Sequence, residues 1–190
     1  MDKVPTPSQT VGPYFHLGCT ATHSVICIAG QDAKGERVHL ICRVFDGEGV
    51  PVNDAMIEIW QADSEGRYNH PADADSEKRD PDCSGFGRMA TDSEGACTFD
   101  TIKPGRVSAD DGRLQAPHLN VSVFARGLLQ RLASRIYFDG DPANGECPIL
   151  ALVPEERRST LLAHPDSAHP GRWHFDIHLC GSGETVFFDV

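Results

Sequence analysis

A chain of 190 residues that is 39% hydrophobic and 24% charged carries enough apolar material for one full core, which excludes large-scale disorder. Its formal net charge of −11 excludes the basic footprint that nucleic-acid or anionic-membrane binding requires and favours small-molecule or protein partners. No apolar run reaches the length of a membrane span, and the first seven residues lack the apolar stretch of a secretory signal, so a cytoplasmic address is expected.

Residues 1–16 contain Pro5, Pro7, Gly12 and Pro13, a composition that predicts an extended arm rather than a helix or a central strand. Tyr14 and Phe15 give that arm an aromatic surface in need of a docking partner. Apolar alternation then predicts strands over 37–46, 55–62, 89–91, 96–102, 118–125 and 135–138. The polar, proline-bearing stretch 69–85 reads as a functional or mobile loop, and 126–134 as an irregular or briefly helical connector. One short helix is predicted from Pro154 at its first position and Glu155 and Glu156 in its first turn, running to Ala163. The chain should finish with a hairpin of 173–180 and 184–190 around the turn at 181–183. Short strands with little helix predict an all-β fold. Its form is a β-sandwich, mainly antiparallel with mixed connectivity, one short helix and long loops, as a single domain over 1–190.

Cysteines at 19, 27, 42, 83, 97, 147 and 180 include no Cys-x-x-Cys pair, so a zinc knuckle is excluded and the thiols read as small core residues of a reducing compartment. No Gly-x-Ser-x-Gly elbow, P-loop or dinucleotide fingerprint is present, which leaves hydrolase and nucleotide-binding readings without support.

The most informative run is Gln115-Ala-Pro-His118-Leu-Asn120. Alternate residues of a strand share a face, which sets His118 beside Asn120 rather than beside a second strong ligand. With Tyr68 it makes a metal site with a piece missing, because phenolate and imidazole suit ferric iron but two such donors alone hold it weakly. After Lys103-Pro-Gly105 only Arg106 and Val107 stand where a further ligand was needed. A rival set, His174, Asp176 and His178, lines one face of a strand as a two-His-one-carboxylate triad would. Its members, however, stand roughly 7 Å apart along the strand, and a plain polar face explains them as well. Arg126, in Phe124-Ala-Arg-Gly127, reads either as a surface arginine or as a holder of an anionic substrate.

The runs Thr6 to Tyr14, Val44-Phe-Asp-Gly, Ile57 to Asp63, Gly66-Arg-Tyr68, Thr101 to Gly105, Ala116-Pro-His118 and Glu184 to Asp189 together resemble the intradiol ring-cleaving dioxygenases, in order and over nearly the whole chain. Within that family the similarity is to the alpha type of chain rather than the iron-holding beta type. Working sites in the family use two tyrosines and two histidines on Fe3+. The resemblance places Tyr68 and His118 at two of these positions, Val107 at the second tyrosine's and Asn120 at the second histidine's. It also puts Gln115 where the catalytic chain carries an arginine. The resemblance therefore implies no catalytic residues and no metal within this chain alone, and Fe3+ held by a homologous beta subunit, with alpha-beta pairs assembled further. The shared reaction it implies is O2-dependent cleavage of protocatechuate (3,4-dihydroxybenzoate) between its hydroxyl carbons, giving 3-carboxy-cis,cis-muconate. Thr10, Gly12, Pro13, Tyr14 and Arg126 would then wall the shared substrate channel. The alternatives are a purely structural partner of the beta subunit and a self-sufficient iron oxygenase built on His174, Asp176 and His178.

Overall fold

The computed structural model describes residues 7–10, 12, 14–21, 23–109 and 111–189. Eight strands run in chain order: β1 (Arg37–Phe45), β2 (Met56–Trp60), β3 (Phe86–Ala90), β4 (Ala96–Ile102), β5 (His118–Phe124), β6 (Leu132–Phe138), β7 (Leu162–Pro165) and β8 (Arg172–His178). Hydrogen bonding orders them β3-β2-β5-β6-β7-β8-β1-β4. The β1–β8 and β6–β7 pairs are parallel and the remaining pairs antiparallel. The architecture is all-β and mainly antiparallel with mixed connectivity, as expected for this chain; the alternation by itself accounts for the all-β part.

Period-two burial explains the layering. Leu40, Cys42 and Val44 of β1, Ile57 and Ile59 of β2, Phe99 of β4, Leu119, Val121 and Val123 of β5, and Phe175 and Ile177 of β8 all turn into one shared core. Their neighbours on the opposite face are half-buried and largely polar. The β5–β6 pair buries apolar groups on its outer side too. There Tyr137 joins Cys147, Leu150, Val153 and Leu161 in a smaller cluster under the segment 142–161.

The sheet's two ends are joined by a short extended run that the alternation analysis passes over. Val25 bridges to Arg88 of β3 and Cys27 to Asp100 of β4, with Val25 N–H donating to Arg88 O at 2.7 Å and Ile28 N–H to Asp100 O at 2.8 Å. Edge donors and acceptors that would face water are satisfied by this staple. Ile28 fills the space above Gly87, where a Cβ would stand 2.7 Å from the Ile28 side chain.

Four expectations need correction. The predicted extended arm over 1–16 ends in an α-helix, α1 (Tyr14–Cys19): the prolines all precede it, and Phe15 gains a ring contact with Phe124 at 5.6 Å. The predicted helix from Pro154 to Ala163 is a 3₁₀ helix, Glu155–Leu161. Parallel pairing with Tyr137 and Phe138 draws Leu162 and Ala163 into β7 instead. The connector is irregular over 126–131, one of its two expected forms, but it is shorter than expected: β6 starts at Leu132 rather than at Arg135. The C-terminal hairpin does not form. After the turn at 181–183 the chain crosses to β6, where Phe188 N–H donates to Ala133 O at 2.8 Å. Phe187 packs on the main core and Phe188 on the smaller cluster, a split that one strand face cannot supply.

Candidate functional site

Strand register brings the predicted donors together on the outer face of the β2–β5–β6 layer. Asn120 stands opposite both Trp60 of β2 and Arg135 of β6, while His118 stands opposite Tyr137. Tyr68 reaches the same place from the loop after β2. Asp63 shapes that loop by accepting from Glu65 N–H at 2.9 Å and Arg67 N–H at 3.0 Å, and Asp73 accepts from Tyr68 N–H at 2.6 Å. The Tyr68 ring then stacks on Trp60 with centroids 5.9 Å apart. Val107 arrives from the stretch after β4, fixed by Gln115 N–H donating to Val107 O at 2.8 Å. A cleft of about 740 Å³ opens here, bordered by Trp60, Tyr68, Arg106 and Val107.

The donor set does not fit ferric iron. Asn120 Nδ2 donates to Tyr68 Oη and to Trp60 O, both at 3.3 Å, so its amide turns a donor, not a lone pair, toward the phenol. Burial raises the Tyr68 pKa, opposed in part by the Asn120 hydrogen bond and the Arg135 charge, which keeps the phenol protonated at neutral pH. His118 is buried, and its Nδ1 donates to Ala116 O at 2.8 Å, since a carbonyl only accepts. Desolvation, reinforced by the positive charge of Arg135, pulls its imidazole down to about 4. Val107 offers no donor atom. The guanidinium of Arg135 is anchored by Nη1 donating to Gln115 Oε1 at 2.6 Å and bears on Tyr68, His118 and Tyr137 together. A fixed cation already stands among the groups that would have to surround a metal. Among the described residues, no group of three or more His, Cys, Asp or Glu side chains could hold a metal ion.

The rival triad lines one shallow hollow of about 310 Å³ but does not converge on a metal. His174 Nε2 lies 3.3 Å from Asp166 Oδ2, Asp176 accepts from Arg43 at 2.9 and 3.0 Å, and His178 stacks on Phe45 at 5.2 Å. Each side chain serves its own neighbour, so a ferrous centre on this face is overturned.

The arm reaches the turn that carries Arg126. Thr10 Oγ1 accepts from Gly127 N–H at 2.9 Å, and Gly12 O accepts from Phe15 N–H at 3.0 Å at the start of α1. Arg126 forms an ion pair with Asp54, yet its side chain is 79% exposed. Pro13 and the Tyr14 side chain lie outside the described residues and atoms. This patch sits beyond the Phe124 end of β5, whereas His118 opens the same strand. At about 3.3 Å rise per residue, the two ends are roughly 20 Å apart. Arg126 therefore cannot serve a ligand held at His118.

A family model described as a dioxygenase matches residues 10–181. The chain is 45% identical to the protocatechuate 3,4-dioxygenase alpha chain of Burkholderia cepacia, over 97% of each. This chain belongs to the intradiol ring-cleavage dioxygenase family. A second intradiol relative, the protocatechuate 3,4-dioxygenase beta chain of the same organism, is 35% identical over 83% of this chain and 70% of its own length. Among solved structures, the dioxygenase domain of a dioxygenase carbohydrate-binding fusion from Streptomyces sp. SirexAA-E superposes with a TM-score of 0.64 at 26% identity, over 94% of this chain and 100% of that one.

Arg131 and Arg135 are the site residues that sequence reasoning passes over. Before strand register is known they are two members of an arginine-bearing connector, and only the pairing of Asn120 with Arg135 reveals where the second one points. Among the described residues no helix is long and apolar enough to cross a membrane.

Proposed function

We propose that this chain is the iron-free alpha-type subunit of a protocatechuate 3,4-dioxygenase. In this reading it walls a channel whose Fe3+ is held by a homologous beta-type partner. The reaction of the assembly is O2-dependent opening of 3,4-dihydroxybenzoate between its hydroxyl carbons, yielding 3-carboxy-cis,cis-muconate. One observation carries the reading: a chain 45% identical to an alpha chain over nearly its whole length combines a donor set unfit for iron with an exposed arginine in the turn where the arm docks, far from those donors. An exposed guanidinium beside an aromatic arm serves a carboxylate-bearing substrate only if another chain supplies the rest of the site. Thr10 fixes the Arg126 turn through Gly127, and the family resemblance alone extends the same wall to Gly12, Pro13 and Tyr14.

The test is co-expression with a beta-type chain, with iron content and steady-state kinetics measured on the purified complex. Arg126→Ala is expected to leave iron per complex unchanged and to raise KM roughly 10-fold or more, the size of a lost charge-assisted contact. Unchanged kinetics in that complex would instead make the chain a structural partner that stabilises the beta subunit. In that case substitutions at Thr10 and Arg126 would affect assembly alone.

A further inference from the structure

Beside the cleft, on the same outer face of β5 and β6, lies a second hollow of about 580 Å³. Its walls are apolar, with Ile149 and Val153 from the covering segment and Val186 and Phe188 from the C-terminal crossing. Two arginines line it as well, Arg135 on β6 and Arg131 just before that strand. The arginines of the neighbouring cleft have acidic partners, Arg67 with Glu65 and Arg106 with Glu146. Arg131 and Arg135 have none among the described residues, although the chain as a whole is rich in carboxylates, with a net charge of −11. Arg131 Nη1 donates to the neutral Ser122 hydroxyl at 3.1 Å, and Arg135 Nη1 to the neutral Gln115 amide oxygen at 2.6 Å. A guanidinium carries five donors, so each arginine keeps spare N–H groups to offer.

A half-buried cation against apolar walls is costly unless something anionic shares its environment. We propose that this hollow binds a small apolar carboxylate, gripped at its anionic end by Arg135 and drawn in past Arg131 at the more exposed rim. The volume falls in the range of small-molecule sites, about 300–1,000 Å³. Apolar walls with one charged end select an amphipathic monoanion over a polyanion, which would leave its other charges against Ile149, Val153 and Phe188. The site uses neither Arg126 nor a partner's metal, so it stands or falls separately from the proposed subunit role.

Calorimetric titration of the full chain with benzoate and with hexanoate, each against its neutral amide, tests the assignment. One saturable site per chain is expected for at least one acid, and the stronger of the two shows whether the hollow prefers a ring or a chain. Benzamide and hexanamide should not bind, and Arg135→Gln should weaken binding at least 10-fold. Arg135→Lys retains the charge without the planar fork and should fall between the two. It keeps the test valid if Arg135→Gln fails to fold. The proposal is overturned if neither acid saturates a site, if the amides bind equally well, or if the Arg135 variants bind as the parent does. It is equally overturned if the hollow is the seat of a protein segment. In that case no acid binds, and hydrogen exchange at residues 149–153 and 186–188 slows only when a beta-type chain joins.

Discussion

His118 is the residue whose environment makes the sharpest claim about stability. Its imidazole is buried and neutral, with a folded value of about 4 against an unfolded value of 6.5. Between those two values the unfolded chain binds the extra proton, so stability is fully present above pH 6.5 and is lost as pH falls toward 4. A shift of that size corresponds to about 3 kcal/mol. Urea denaturation across pH 4–7 should therefore show a falling midpoint on acidification that is much reduced in His118→Phe; equal slopes in the two proteins would mean that burial does not hold the imidazole neutral. At the same site, restoring Val107→Tyr and Asn120→His supplies the missing donors but leaves the Arg135 guanidinium among them. Stoichiometric iron and a tyrosinate-to-iron absorption band are expected only when Arg135→Gln is added to the pair. A double variant that binds iron as well as the triple would show that Arg135 does not bar the metal. Tyr68 and His118 stood out by residue type, while Val107 and Asn120 were set beside them by the family resemblance. Arg135 was not legible, because its place is fixed by pairing with Asn120 across strands rather than by any local pattern.

Among the elements, those with clean alternation were readable: β1, β4 and β5 lie where apolar residues recur every second position. The 25–29 staple was missed because it makes isolated bridges to two different strands instead of one ladder. The C-terminal run misled for the opposite reason: Thr185 to Phe188 has strand-like composition, but consecutive phenylalanines enter two different cores. The staple's contribution can be measured. Ile28 is 1% exposed and fills the space over Gly87, and truncating it to alanine leaves a cavity at the seam between β3 and β4. Ile28→Ala should cost about 2–5 kcal/mol, lowering Tm by roughly 2–4 °C per kcal/mol for a chain of this size. Calorimetry showing a loss below about 1 kcal/mol would mean that the seam closes without Ile28.

For the molecule as a whole, β5 acts as a ruler. One end carries the donors that fail to make a metal site, and beyond the other end stand Arg126 and the Thr10 contact, roughly 20 Å away by strand rise. No single small substrate spans that distance, so the two regions must answer differently to mutation if the chain works through a partner. In complexes formed with a beta-type chain, Tyr68→Phe in this chain should leave iron content, kcat and KM unchanged, because its phenol bonds only within the vestigial site. Arg126→Ala should raise KM at unchanged iron content. The contrast is the diagnostic: a purely structural subunit predicts that neither variant alters turnover per iron, whereas chemistry on this chain's own donors predicts that Tyr68→Phe is the damaging one. Only the channel-wall reading predicts damage at the exposed arginine and silence at the half-buried tyrosine.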